Sequence, residues 1–69
     1  MLKYVQYEVV QNENGTWDCL TYNEEVNAHN YNDFTGVGMS AAEALTDWID
    51  SNDILVDGSG NCSYSIQLD

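Results

Sequence analysis

A single histidine, His29, and two cysteines, Cys19 and Cys62, are the residues of this chain best suited to covalent or metal chemistry. A cysteine and a histidine can serve as nucleophile and base, but that chemistry also needs a group to stabilise developing charge. With one Lys and Arg in total, Lys3, a phosphate-bearing substrate would have almost nothing to hold it. No motif ties His29 to either cysteine. As zinc ligands the three lack paired spacing and a fourth member. Asp57-Gly58-Ser59-Gly60-Asn61 alternates oxygen ligands as calcium loops do. It lacks the glycine at the sixth position and the glutamate at the twelfth, and reads as a turn. The expectation is no catalytic residue, no metal and no cofactor, with Cys19 and Cys62 as small buried hydrophobes rather than a disulfide, although their spacing alone does not fix whether they pair.

The carboxylates are a different matter. Twelve Asp and Glu stand against one basic side chain, giving a net charge of −11. Charge of one sign destabilises a compact state by self-repulsion. A surface built only for solubility normally intersperses both signs. Binding to nucleic acid is disfavoured, because a phosphate backbone would be repelled and no basic patch exists for counterion release. A cationic protein surface is the partner that this charge suits. Glu43, Asp47 and Asp50 recur at i, i+4 and i+7, roughly 6 Å and 4.5 Å apart along a helix axis. That is the order of separation between charges on a nucleic-acid strand. Asp53 and Asp57 would extend the row, and acids of the hairpin (Glu8, Glu13, Asp18) and of the excursion (Glu24, Glu25, Asp33) could supply a second cluster. Such a stripe opposes the helix macrodipole at its C-terminal end, where a helix tuned for stability would carry Lys. Trp17 is a candidate aromatic anchor beside these acids, as are Tyr4 and Tyr31.

The elements that must position these residues form one domain over residues 1–69. Tyr4–Val10 and Thr16–Tyr22 alternate as half-buried strands around Asn14-Gly15, a strong hairpin signal. With Asn14-Gly15 as the two turn residues, Val9 faces Leu20 and Tyr7 faces Tyr22. Val5, Tyr7, Val9, Leu20 and Tyr22 then form the core face; Trp17, Cys19 and Thr21 lie opposite. A longer loop with a bulge would shift this register. Residues 23–33 read as an Asn-rich exposed excursion with a short strand near Val26–Ala28. A third strand falls within 34–38, where glycines permit close approach.

Ser40 and Glu43 form a capping box that opens a helix running to Asp50. Ala41, Ala44, Leu45, Trp48 and Ile49 make its apolar face. Ile54-Leu55-Val56 continues the apolar character, and Cys62–Leu68 alternates as a last strand. The order β-β-(β)-α-β implies an α+β fold, an antiparallel sheet of three to four strands with one helix across a face. No stretch is long and apolar enough for a membrane span. Met1-Leu2-Lys3-Tyr4 does not resemble a secretory leader, so a cytoplasmic location is expected.

In size, charge and lack of an enzyme motif the whole chain resembles the small acidic inhibitors that bacteriophages direct against host defences. Within that group it is similar to anti-CRISPR proteins, several of which imitate DNA. That resemblance implies a basic nucleic-acid-binding partner, a CRISPR effector subunit, met by a monomer or dimer. A more local resemblance runs through Tyr4–Tyr22 and Gly36-Val37-Gly38-Met39-Ser40-Ala41-Ala42-Glu43-Ala44-Leu45. This looks like the N-terminal half of HicB-type antitoxins: a hairpin, a third strand, and a helix opened by a small polar residue before Glu-Ala-Leu. It implies neutralisation of a small basic ribonuclease toxin, without the DNA-binding segment common in that family.

Overall fold

The computed structural model describes residues 4–23, 28–29 and 33–64. Its first hairpin pairs β1 (Tyr4–Gln11) with β2 (Trp17–Asn23). The loop between them is a three-residue turn with a glycine bulge rather than a two-residue turn. The Asn12 amide donates to the Thr16 carbonyl at 2.7 Å and the Gly15 amide to the Asn12 carbonyl at 3.0 Å. Gly15 takes φ 90°, the left-handed conformation the bulge requires. Asn14 Oδ1 accepts from both the amide and the hydroxyl of Thr16, at 3.0 and 2.7 Å. The register is therefore Val9 opposite Cys19 and Glu8 opposite Leu20.

This corrects the two-residue reading of Asn14-Gly15, in which Val9 meets Leu20. Strand side chains alternate, so a slip of one residue exchanges the faces of a whole strand. Trp17, Cys19 and Thr21 join Val5, Tyr7 and Val9 on the inner face. Leu20 and Tyr22 pass to the outer face. Cys19 is 0% exposed and Thr21 4%, which is the signature of the exchanged parity.

The full order is β1, β2, β3 (Ala28–His29), β4 (Gly36–Gly38), α1 (Ala41–Ser51), β5 (Ile54–Val56) and β6 (Cys62–Tyr64). The sheet runs β3-β2-β1-β6-β5, and β4 also pairs with β2. Both short strands share one edge of β2: β3 takes Tyr22 and Asn23, β4 takes Trp17 to Cys19. All five pairings are antiparallel. With one helix packed against it, the fold is α+β.

The sequence pattern misses β5. Three apolar residues after a helix are too few to show an alternation, and here they pair with β6 through a loop of the same kind as the first. The Asp57 amide donates to the Asn61 carbonyl at 3.0 Å, the Gly60 amide to the Asp57 carbonyl at 3.1 Å, and Gly60 has φ 85°. Of the expected last strand, Cys62–Tyr64 is observed; Ile66 and Leu68 lie outside the described residues. Ser63, expected on a polar face, is 7% exposed because it is flanked across the sheet by Tyr4 and Leu55.

The helix begins as its capping residues dictate. Ser40 is extended (φ −144°) and its hydroxyl accepts from the Glu43 amide at 3.2 Å. Glu43 returns a carboxylate oxygen to the Met39 amide at 3.1 Å, one residue earlier than the reciprocal bond of a capping box. Ala44 and Trp48 are fully buried, and Leu45 and Ile49 pack against the same core with Cys19, Ile54 and Cys62. No helix among the described residues is long and apolar enough to cross a membrane.

β4 lies so close to α1 that only glycine fits. A β-carbon on Gly36 would meet the Ala44 carbonyl oxygen, the Trp48 amide nitrogen and the Trp48 Cβ, the last at 2.6 Å; one on Gly38 would sit 2.6 Å from the Glu43 Cβ. Backbone cannot yield as a side-chain tip does. Overpacking of a well-filled core typically costs about 1–3 kcal/mol, against a margin of only ~3–5 kcal/mol in a domain this small. Gly36→Ala is expected to remove about 2 kcal/mol or more, read as a lowered urea midpoint by tryptophan fluorescence. An unchanged midpoint would show that the strand and helix can separate without loss.

Candidate partner-binding surface

Three of the carboxylates expected to form a row do converge. Glu43, Asp47 and Asp50, with Val37, Ala42 and Thr46, line a shallow open groove between α1 and β4. The i, i+4, i+7 spacing puts the acids on one flank of the helix, and β4 supplies the opposite wall because its two glycines allow the contact. Lys3 lies outside the described residues, and no other Lys or Arg exists in the chain, so every ionised side chain of the groove is negative. Thr46 spends its hydroxyl proton on the Ala42 carbonyl at 2.9 Å. The lining thus offers acceptors above an apolar floor, a match for the stem and head of a Lys or Arg side chain.

Two of these acids also have structural work. Asp47 Oδ2 accepts from the Val37 amide at 2.9 Å, which ties β4 to the helix. Glu43 holds the Met39 amide at the helix entrance. The placement of Asp47 toward the C-terminal half, against the macrodipole, therefore has a local return that the sequence does not reveal. Asp50 is exposed at the groove and has no such bond among the described residues.

Asp53 and Asp57 do not line the groove. Asp53 follows the Asn52 C-cap in the left-handed conformation (φ 52°), the position where helices commonly reverse. Strand β5 then separates it from Asp57, so the two flank a sheet edge rather than prolong a helical row. Asp57 opens the second loop and accepts from the amides of Asn61 (2.9 Å) and Ser59 (2.8 Å). These bonds favour the ionised form and lower its pKa below 3.8.

Trp17, expected as an exposed anchor, is half-buried and packs against the core. Tyr4 is 61% exposed on the outer face. Glu24, Glu25 and Tyr31 lie outside the described residues. Asp33, expected in the exposed excursion, turns inward instead. Its Oδ2 accepts from the hydroxyls of Thr21 at 2.7 Å and Tyr64 at 2.6 Å. Thr21 in turn accepts from the indole N–H of Trp48 at 2.8 Å. This chain joins the helix, two strands and the excursion, and no buried side-chain nitrogen or oxygen among the described residues lacks a partner. The sequence pattern does not show it, because a two-residue turn at Asn14-Gly15 puts Thr21 on the outer face. Nearby, Asn52 clamps Phe34 to the helix end, accepting from its amide at 2.8 Å and donating to its carbonyl at 2.9 Å.

Cys19 and Cys62 are free thiols in the core. Burial, with a smaller Coulombic push from Cys62, raises Cys19 to about 11. Burial first and Asp57 second raise Cys62. Both are therefore protonated and poorly nucleophilic near neutrality. Among the described residues no three of His, Cys, Asp and Glu stand close enough to hold a metal. No family model, curated protein or solved structure matches this chain.

Breaking the polar chain is expected to be costly, since an unpaired buried donor loses about 1–3 kcal/mol. Thr21→Val orphans the Trp48 indole and should cost about that much in urea denaturation; Tyr64→Phe, which leaves Asp33 with Thr21, should cost less. Equal effects would mean the indole finds another acceptor. The thiols are expected to resist iodoacetamide at neutral pH until denaturant unfolds the chain. Rapid native-state labelling of Cys19 would contradict its burial.

Proposed function

We propose that this protein is an acidic inhibitor of a host defence system that occupies the basic DNA-binding surface of a CRISPR effector. The observation that carries this reading is the convergence of Glu43, Asp47 and Asp50 on one groove in a chain of net charge −11. Charges spaced along a helix stand in for backbone phosphates and meet Lys and Arg that would otherwise hold DNA. Electrostatic complementarity of this kind speeds association and makes it salt-sensitive. Asp53 and Asp57, flanking β5, widen the acidic surface, and half-buried Trp17 contributes at most its exposed edge.

A second reading, an antitoxin module that neutralises a small basic ribonuclease, is favoured by one observation. The hairpin, the short strand β4 and the Ser40-opened helix come in the order that the resemblance to HicB-type antitoxins implies, with β3 as an additional short strand between hairpin and β4. Fold alone does not fix function, so this supports a kinship of architecture more than of activity.

Neutral isosteres test the site while keeping an oxygen to accept the bonds that Asp47 and Glu43 receive from the Val37 and Met39 amides. The triple variant Glu43→Gln, Asp47→Asn, Asp50→Asn is expected to fold and to bind a captured effector at least about tenfold more weakly, a loss of about 1.4 kcal/mol. The measurement is a pull-down from a defence-competent lysate at low and high salt, with competition by double-stranded DNA. Unchanged capture by the variant would remove the groove from the interface. Capture of a small basic ribonuclease in place of an effector would decide for the antitoxin.

A further inference from the structure

The two outer edges of the sheet are treated differently. On β4, the pairing with β2 leaves the Val37 amide pointing outward, and Asp47 accepts it at 2.9 Å. That edge is closed by the helix. On β5, the Asp57–Asn61 bond sets the alternation of the ladder, so Leu55 faces β6 in register with Ser63. The amides and carbonyls of Ile54 and Val56 must then point away from the sheet. No strand among the described residues lies beyond β5. Leu55 and Val56 are each 50% exposed beside this edge. An edge with free backbone groups and apolar side chains is a template for another strand.

Charge decides which strand. Asp53 and Asp57 bracket the edge at either end. A second copy pairing antiparallel about Leu55 would bring Asp53 of one copy toward Asp57 of the other, and like charges opposite one another destabilise a sheet. Each copy would also carry the net charge of −11. An extended segment with basic residues at its ends meets the same two carboxylates as counter-charges.

We propose that β5 receives a strand from a cationic polypeptide, which adds to the sheet beside Ile54–Val56 with Lys or Arg against Asp53 and Asp57. This rests on the reading of the protein as a binder of a basic protein partner and states how part of that partner docks. Main-chain bonds supply affinity in such additions, and flanking side chains supply specificity.

The test uses the full chain and a short peptide of Val and Thr with Lys at both ends, followed by heteronuclear NMR and amide exchange. The expected result is slowed exchange at Ile54 and Val56 on saturation. A version of the peptide N-methylated on its edge-facing amides is expected to bind about tenfold or more weakly, as the loss of two hydrogen bonds implies. A version with Glu in place of Lys is expected not to bind. Shifts confined to Glu43, Asp47 and Asp50 would overturn the edge assignment and leave the basic-partner reading standing. Protection of Ile54 and Val56 that grows with protein concentration, without peptide, would overturn it in favour of a second copy. Equal binding of the Glu and Lys peptides would overturn both the charge argument and the basic partner.

Discussion

The indole N–H of Trp48 is buried against the sheet, where a donor without an acceptor would cost a sizeable share of a small domain's stability. Its acceptor is the hydroxyl of Thr21, which in turn donates a hydrogen bond to Asp33. For this to exist, Thr21 must face inward, and that depends on β2 being in one register with β1. The register depends on Gly15 adopting φ 90° to make a bulged loop. A helix residue, a strand parity and a turn conformation are thus satisfied together or not at all. Tyr64 reaches the same carboxylate from β6, so the far hairpin is fastened to the near one through Asp33.

This arrangement explains how a chain with so little core stays folded under strong self-repulsion. Among the described residues the buried apolar set is short: Cys19, Ala44, Trp48, Ile54 and Cys62. Three of the described carboxylates are given backbone amides as partners, in Glu43, Asp47 and Asp57. Hydrogen bonds to charged acceptors are stronger than neutral ones. With no arginine and one lysine, backbone amides are the donors left to offset acid charge. Asp33 takes hydroxyls for the same purpose. Asp50, exposed at the groove, has no such backbone donor among the described residues.

The acidic groove and the core are consequences of the same helix. Its buried flank fixes Trp48, and the adjoining flank presents Glu43, Asp47 and Asp50 beside β4. Because Gly36 and Gly38 let β4 approach, Asp47 can serve the strand and the groove together. Among the described residues the sheet edge at β5 has no such cover, and there the acids stand at the ends rather than along the strand.

Local patterns were legible in the chain. The Ser40–Glu43 cap, the apolar face through Ala44 and Trp48, the acidic flank and the hairpin were all readable, because each depends on residues within a turn or a short repeat. The one-signed charge was equally plain. What tertiary structure decided was parity and pairing. Asn14-Gly15 admits two loop lengths, and only the packing of Trp48 on Thr21 selects the one that buries Cys19 and puts half-buried Leu20 on the outer face. Ile54–Val56 is too short to declare itself a strand, and it becomes one because β6 is there to pair with it. Asp33 looks like one more exposed acid until Thr21 and Tyr64 converge on it from distant parts of the chain. Sequence fixes what neighbours a few residues apart can satisfy among themselves; contacts between distant segments settle the rest, since a buried donor must find its acceptor wherever the fold brings one.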